Sequence, residues 1–312
     1  MVVTGGAGFI GSNLAEHLLA QGYRVTIVDN FSTGREENLR GWLDQAGDRA
    51  SLIRADVNET SGMKEAFQGA RFVFHQAAIP SVPRSIADPQ VSHHAVISGT
   101  LSVLVAARDA GVERVVVASS SSVYGDDPSL PKVENRIGKT LSPYALGKRV
   151  CEEYCRLFYE LYGLQTACLR YFNVFGPRQD PKSEYAAVIP RFATRMLAGS
   201  GPVIYGDGEQ TRDFTFVANV IDANWQAATH PGAAGEVFNI GCGQETSLNR
   251  LLHELNGILG AQHKAIFEPA RKGDVRHSVA DTGKAERMLG YRPKVVLGDG
   301  LRQIVQWYRH RL

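Results

Sequence analysis

A tyrosine and a lysine stand four residues apart in Tyr144-Ala145-Leu146-Gly147-Lys148, at the start of a helical pattern, so both project from one helix face. The spacing has a chemical use. A free phenol titrates near about 10, too high for a base at neutral pH, and an ammonium one helical turn away favours the phenolate. Upstream, Ala118-Ser119-Ser120-Ser121-Ser122-Val123-Tyr124-Gly125 closes an apolar run, and hydroxyls at the carboxyl end of a strand in an open α/β sheet face the ligand cleft. By themselves the pair also fits an ordinary surface contact and the serines a polar turn.

A second signal lies at the N-terminus. Thr4-Gly5-Gly6-Ala7-Gly8-Phe9-Ile10-Gly11 follows a short strand and opens an amphipathic helix. Gly5 permits a tight turn, Gly8 lets a pyrophosphate approach the backbone, and Gly11 lets helix and strand pack closely, while the helix N-terminus offers N–H donors to an anion. Asp29 stands eighteen residues after Gly11 and ends the second strand, placed to accept hydrogen bonds from a ribose. A carboxylate there repels a 2′-phosphate, so NAD is expected over NADP. Asp56 and Val57, after the third strand, suit the adenine edge of such a cofactor or a plain strand end.

These residues need a scaffold, and the chain alternates accordingly. Short β-rich runs at 24–28, 50–54, 71–75, 114–118 and 166–171 are separated by helical patterns at about 9–21, 36–46, 61–68, 88–110 and 143–162. Strands spaced by helices give right-handed βαβ units and a parallel sheet covered on both faces. The expected fold class is therefore α/β, a Rossmann-type doubly wound parallel sheet in residues 1–175, with 176–312 forming mainly a smaller α/β substrate-binding lobe. The run Val237-Phe238-Asn239-Ile240 is a candidate to return to the large sheet.

Composition narrows the partners. In 312 residues, 34 basic against 32 acidic side chains leave a formal charge of +2, and no long run of one sign suggests nucleic acid or a membrane surface. No apolar stretch approaches the roughly 18 residues that span a bilayer, so a cytoplasmic location is expected. Cys151, Cys155, Cys168 and Cys242 lack zinc spacing, which reads as free thiols and no metal.

Together the Gly-x-x-Gly-x-x-Gly turn, the Ser-rich strand end and Ser142-Pro143-Tyr144 with Lys148 resemble the extended short-chain dehydrogenase/reductases, specifically the nucleotide-sugar 4-epimerases. Further likenesses are Leu169-Arg170-Tyr171-Phe172-Asn173-Val174-Phe175-Gly176, Thr211-Arg212-Asp213-Phe214 and the stretch from Gly273 to Asp281. Through Ser81-Val82-Pro83-Arg84-Ser85, Arg178-Gln179-Asp180-Pro181 and Tyr185 to Pro190, the chain is most similar to the subgroup that prefers N-acetylated UDP-hexoses, the UDP-N-acetylglucosamine 4-epimerases.

The resemblance implies an isomerase with NAD as cofactor and a UDP-sugar as substrate. Tyr144 would take the sugar O4 proton, Ser120 would hydrogen-bond the reacting oxygen, and Lys148 would also hold the nicotinamide ribose. It extends the expected cofactor contacts from Gly5, Gly8, Phe9, Ile10, Gly11 and Asp29 to Asn30, Ser32, Gly34, Gln76, Ala77, Ala78 and Tyr171. Asn173, Arg212, Arg271 and Asp274 would surround the diphosphate and ribose, with Ala187, Val188 and Tyr205 near the uracil end; arginine suits phosphate because its planar fork bonds bidentately. Ser278 falls where strict UDP-glucose epimerases carry a bulky tyrosine, which opens room for an acetamido group, and Ser81, Ser121, Ser122 and Gln179 offer it hydrogen bonds.

Two departures stand out: Pro80 and Ala95 occupy positions where some relatives carry lysine and asparagine. Other readings stay open at this point. Arg84 or Arg276 suits the carboxylate of a UDP-glucuronic acid 4-epimerase, whereas a dehydratase or decarboxylase needs acidic residues where Ser121 and Ser122 stand. A non-catalytic NAD-sensing module conflicts with the intact Ser120, Tyr144 and Lys148. Apolar positions Val96, Leu101, Val105, Tyr154, Phe158 and Leu161 exceed what one sheet face needs; core packing within one chain would account for them, and the family resemblance implies instead a homodimer in which these helices pair across a two-fold axis.

Overall fold

The computed structural model describes residues 1–181, 187–270 and 275–311. Seven parallel strands form the central sheet: β1 (Val2–Thr4), β2 (Val25–Asp29), β3 (Ala50–Arg54), β4 (Phe72–His75), β5 (Arg114–Ser120), β6 (Gln165–Tyr171) and β7 (Glu236–Ile240). Their spatial order is β7-β6-β5-β4-β1-β2-β3, so the chain reverses direction across the sheet between β1 and β4. Ligands of open α/β sheets gather at that switch point, beyond the carboxyl ends of the strands. The run from Val237 does return: β7 pairs in parallel with β6, Val237 opposite Cys168.

Side-chain alternation builds two cores. Val3, Ile27, Phe72, Phe74, Val116 and Leu169 share a core with α1 (Phe9–Ala20) and the helix Val217–Thr229. Val2, Val28, Val73, Val115, Val117 and Cys168 face the opposite layer, which includes α2 (Thr60–Phe67). Both faces are covered, as a parallel sheet requires.

Helix ends show how local chemistry sets the site's scaffold. Beyond α3 (Val82–Ala87) and α4 (Gly99–Asp109) comes α5 (Pro143–Tyr162), which begins where the Ser142 side chain accepts from the Ala145 N–H with proline at N1 and ends at Gly163, φ +71°. That span matches the expected 143–162. The helix expected over 36–46 is instead a 3-10 turn at Glu36–Asn38 and a short helix at Trp42–Gln45, because Gly41 takes φ +89° between them, a left-handed conformation that helix cannot continue through. The pattern at 88–110 contains a π-helical turn, His94–Ser98, ahead of α4. There Thr100 Oγ1 donates to the Val96 carbonyl at 2.6 Å.

That hydroxyl fixes a buried histidine. Its one proton is committed to Val96, so Thr100 Oγ1 accepts from His75 Nε2 at 3.1 Å, and His75 Nδ1 accepts from Thr4 Oγ1 at 2.7 Å. Burial first, and then the charge of Lys148, pull the imidazole from 6.5 down to about 3. The unfolded chain therefore binds a proton that the folded chain refuses, and stability is lost as pH falls below 6.5. By pH 4.5 the loss amounts to about 3 kcal/mol. His75→Gln keeps one donor and one acceptor but does not titrate, so its deficit relative to wild type should shrink by that amount between pH 7 and 4.5. Parallel denaturant titrations of the two proteins test this, and a constant deficit would mean that His75 is charged in the fold.

Beyond β6 the chain also forms α6 (Val188–Leu197), α7 (Val217–Thr229), α8 (Leu248–Leu259), α9 (Gly283–Leu289) and α10 (Leu297–Arg309). Of these, α7 packs against the sheet, contributing Val220, Ala223 and Ala227 to its core. Two-stranded ladders join Val203–Tyr205 to Ile266–Glu268 and Thr211–Arg212 to Thr246–Ser247. Asp213, fully buried between them, accepts from the backbone N–H groups of Cys242, Gly243 and Ala280 and ties three segments together. Burial raises its carboxyl to about 6 against those bonds. Cys151, Cys155 and Cys168 are buried and Cys242 half-buried, all four as free thiols. Among the described residues no helix is long and apolar enough to cross a membrane, and no cluster of His, Cys, Asp or Glu could hold a metal.

Candidate active site

At the carboxyl end of β1 the chain turns through Gly5, φ +66°. A Cβ at Gly5 would stand 2.6 Å from the Ala77 nitrogen, and one at Gly11 would stand 2.2 Å from the Gly5 carbonyl oxygen. Both positions are therefore closed to side chains by backbone. Gly8 is looser, its added Cβ reaching the Gly5 oxygen at 3.1 Å. The turn brings the N-terminus of α1, with its unused N–H donors, to the edge of a cleft of about 610 Å3.

Asp29 closes one end of this cleft. One carboxylate oxygen accepts from the Ala7 N–H and the other from the Phe31 N–H, each at 2.8 Å, which leaves a lone pair on each oxygen for ribose hydroxyls. Burial pushes its pKa up while the two backbone donors pull it down, with a net rise. Gly34 passes so close that a Cβ there would lie 2.7 Å from the carboxylate. Beside it, Asn30 Nδ2 donates to Asp56 at 2.7 Å. Burial raises the Asp56 carboxyl, but donors from Asn58 and Asn30 outweigh it and the net shift is downward.

At the other end stand the residues of α5. Tyr144 and Lys148 are both buried and both line the cleft. Lys148 Nζ donates to the Ala118 carbonyl at 2.7 Å and lies 5.9 Å from the Tyr144 ring centroid, so the ammonium is bonded to the strand end and stands over the tyrosine ring. Ser85 of α3 accepts from the Tyr144 N–H at 3.1 Å. Tyr171, Gln76 and Asn224 close a ring of hydrogen bonds of 2.8 to 3.2 Å. Burial raises the Tyr171 phenol against these bonds, so at neutral pH it serves as a neutral donor.

All the residues expected at the cofactor, from Gly5 through Asp29, Asp56 and Gln76 to Tyr171, line this one cleft, and Ser81 joins them. The four serines behave differently from one another. Ser119 lines the cleft, Ser120 Oγ accepts from the Ser122 N–H at 3.1 Å, and Ser122 Oγ is buried without a partner. A second cavity of about 230 Å3 gathers Asn173, Ala187, Val188, Tyr205 and Arg212. Ser120, Ser121, Ser122, Gln179 and Ser278 line neither cavity; Gln179 Nε2 is spent on the Val174 carbonyl at 3.1 Å. Arg271 and Asp274 lie outside the described residues. Arg84, expected only as a partner for a sugar carboxylate, also lines the first cavity, and the sequence reading assigned no site role to Arg178 and Asn58 there or to Gln210 and Phe214 in the second. A lone arginine or glutamine carries no spacing signal, and only the fold shows where it faces.

A turn that excludes side chains, a helix N-terminus and a carboxylate with spare lone pairs fit a dinucleotide, and a phenol with an ammonium at the switch point defines a reductase-type site. The chain matches the NAD dependent epimerase/dehydratase family over residues 1–241 and belongs to it, within the extended short-chain dehydrogenase/reductases and with NAD as its cofactor. The UDP-glucose 4-epimerase of Mycolicibacterium smegmatis is 40% identical over 313 residues, covering 99% of this chain and 98% of that one. The structure of UDP-N-acetylglucosamine 4-epimerase from Methanobrevibacter ruminantium M1, in complex with UDP-N-acetylmuramic acid, is 37% identical with TM-score 0.94, covering 100% and 98%. UDP-glucuronic acid 4-epimerase from Bacillus cereus, in complex with UDP-glucuronic acid and NAD, is 32% identical with TM-score 0.91, covering 100% and 99%.

Proposed function

We propose that this chain is an isomerase that inverts C4 of UDP-hexoses through a 4-keto sugar, with UDP-GlcNAc and UDP-GalNAc as its main pair and UDP-Glc and UDP-Gal as further substrates. The observation that carries the reading is that Tyr144 and Lys148 line the same cleft as Asp29 and the turn glycines. NAD bound along that cleft supplies an acceptor, and then a donor, for the hydrogen at C4. Tyr144 takes the O4 proton as that hydrogen leaves, and returns it when the ketone is reduced. Lys148 keeps positive charge beside the phenol and aligns the Ala118 strand end. Ser120, next to the cleft-lining Ser119 and with its hydroxyl proton not committed by the bond it accepts from Ser122, would turn that proton to the reacting oxygen. Arg212 and Asn173, with Tyr205 and Val188, hold the UDP, so that the ketose turns about its diphosphate and presents its other face.

Incubation with UDP-GlcNAc, UDP-Glc and UDP-GlcA separately, with the C4 epimers resolved by NMR, tests the reading. Turnover of UDP-GlcNAc supports it; retention of all three unchanged by NAD-loaded protein overturns it in favour of an NAD-sensing module. Arg84, whose side chain lines the cleft with no ion pair among the described residues, favours UDP-glucuronic acid as the second reading. Where a dehydratase or decarboxylase needs acidic groups, Ser121 and Ser122 offer only hydroxyls.

Ser278 would be the residue that admits the acetamido group. It is half-buried beside Val279, whose carbonyl accepts from the Lys132 N–H at 2.8 Å, and His277, bonded to Thr211. Ser278→Tyr should lower kcat/KM for UDP-GlcNAc about 10- to 100-fold more than for UDP-Glc. Equal losses on both sugars would remove Ser278 as the selector.

The chain would work as a homodimer in the cytoplasm, where four free thiols are at home. Val96 and Phe158 are interior residues of the monomer, which corrects their use as dimer contacts, because Val96 packs with Tyr144 and Cys151 of α5 and Phe158 lies in the core that holds Leu164 and Cys168. On α5, Leu146, Leu157 and Leu161 are exposed, with Ile86 of α3 nearby in the fold. Light scattering should give twice the 34.0 kDa of one chain; a single-chain mass would refute pairing.

A further inference from the structure

Behind the serine-rich end of β5 lies a charged pair that neither cavity touches. Glu152 and Arg170 have side chains only 7% and 3% exposed. Arg170 Nε and Nη2 donate to the two carboxylate oxygens at 2.9 and 2.7 Å, a bidentate bond. Its Nη1 donates to the Tyr124 hydroxyl at 3.0 Å and the Glu134 carbonyl at 2.9 Å. Ser119 donates to the same Glu152 carboxylate.

The register makes this a frame. Tyr144, Lys148 and Glu152 stand four residues apart on α5 and share one helix face. Lys148 grips residue 118 of β5 and Glu152 grips residue 119, on successive turns. Arg170 is the cross-strand partner of Ser119, and Tyr171 that of Ser120. Helix, strand and neighbouring strand are thus locked at one level, the level at which Ser120 follows Ser119.

Stability does not account for such a pair. Two desolvated charges cost about as much as their attraction returns, and a well-packed apolar pair of similar volume is often as stable or more so. What the pair adds is direction, since a bidentate fork tolerates one arrangement where apolar contacts tolerate several.

We propose that Glu152 and Arg170 are positioning residues for the epimerisation, acting through Ser119 to set Ser120 against Tyr144. The inference rests on the catalytic roles assigned above to Ser120 and Tyr144. Those roles have their own check, since a Tyr144→Phe variant that keeps full turnover would sink them without reference to the pair.

Removing one partner leaves a buried charge and is expected to destabilise the fold, so the informative protein is the double variant Glu152→Met/Arg170→Met. Its Tm should return close to wild type, and it should purify with NAD. Its kcat should still fall about 10- to 100-fold at nearly unchanged KM, the loss expected when reacting groups shift by a fraction of an ångström to about 1 Å. In that background Tyr144→Phe should lose less than in the wild type, because part of its contribution is already gone. A folded double variant within about twofold of wild-type kcat overturns the proposal.

Ser119→Ala decides the matter if the double variant does not fold, because it cuts the tie and leaves the ion pair whole. The same fall in kcat at unchanged Tm supports positioning. Wild-type kcat in Ser119→Ala refutes it.

Discussion

Tyr144→Phe should lower kcat for C4 interconversion by about 10³-fold or more while the purified protein still carries NAD. The change removes one oxygen and no packing, so the ring stays buried against Val96 and Cys151 and the cleft keeps its shape. General acid–base catalysis contributes typically about 10² to 10⁴, and the upper part of that range applies because the same oxygen would act in both half-reactions. Absorbance of bound NAD at each purification step separates loss of chemistry from loss of cofactor. Deuterium placed at the sugar's C4 should stay there through turnover, since the hydrogen returns to the carbon it left. A variant with ordinary kcat, or label lost to solvent, would remove Tyr144 from the centre of the reaction.

The Tyr/Lys pair and the glycine turn were legible because both are local. Four-residue spacing on a helix and three glycines before one translate into geometry without knowledge of the rest of the chain, and the Ser142-Pro143 start and Gly163 stop of α5 are equally local. The break at Gly41 was written in the sequence too, but a glycine within an otherwise helical pattern looks the same whether its φ is negative or +89°. The π-turn at His94–Ser98 depends on Thr100 and on Cys151, which donates to the Val96 carbonyl from α5, a contact between residues 55 apart that no window reveals. The serines show the limit most sharply. Residue type alone gave four serines in a row one expectation, a face toward the ligand cleft, and only the family resemblance set Ser120 apart from Ser121 and Ser122, whereas pleating turns Ser119 toward Glu152 and leaves Ser120 to cap the next turn. Arg170 sat inside a segment used for recognition and Glu152 inside the expected helix over 143–162, yet nothing in their spacing announced that they meet. Arg84 and Arg276 were equal candidates for a sugar carboxylate in the sequence, and only the fold, by carrying Arg84 to the cleft on α3, separates them.

Gly11→Ala should cost both the fold and the cofactor, and comparison with Gly8→Ala should separate the two. A Cβ at residue 11 would sit 2.2 Å from the Gly5 carbonyl oxygen and 2.9 Å from the Gly6 Cα. All of these are backbone atoms of the Gly5–Gly6 turn, and a Cβ has no rotamer with which to avoid them, so α1 must move off the turn that follows β1. Overpacking of this kind costs about 1 to 3 kcal/mol even when side chains can adjust, and a clash with backbone belongs at or above the upper end. Because α1 also carries the N–H donors at the cleft, displacing it should leave purified Gly11→Ala with little bound NAD. At residue 8 the added Cβ meets the same oxygen at 3.1 Å, a contact that a shift of a few tenths of an ångström relieves. Gly8 nevertheless lines the cleft, where a methyl group takes space that a pyrophosphate needs. Gly8→Ala is therefore expected to melt within a few degrees of wild type in the absence of added NAD and still bind it at least about tenfold more weakly, since loss of close backbone approach removes charge-assisted bonds. Calorimetric melting and NAD titration of the two apo-proteins distinguish the effects. If Gly11→Ala melts like wild type, the tight contact between α1 and Gly5 is not what holds the turn.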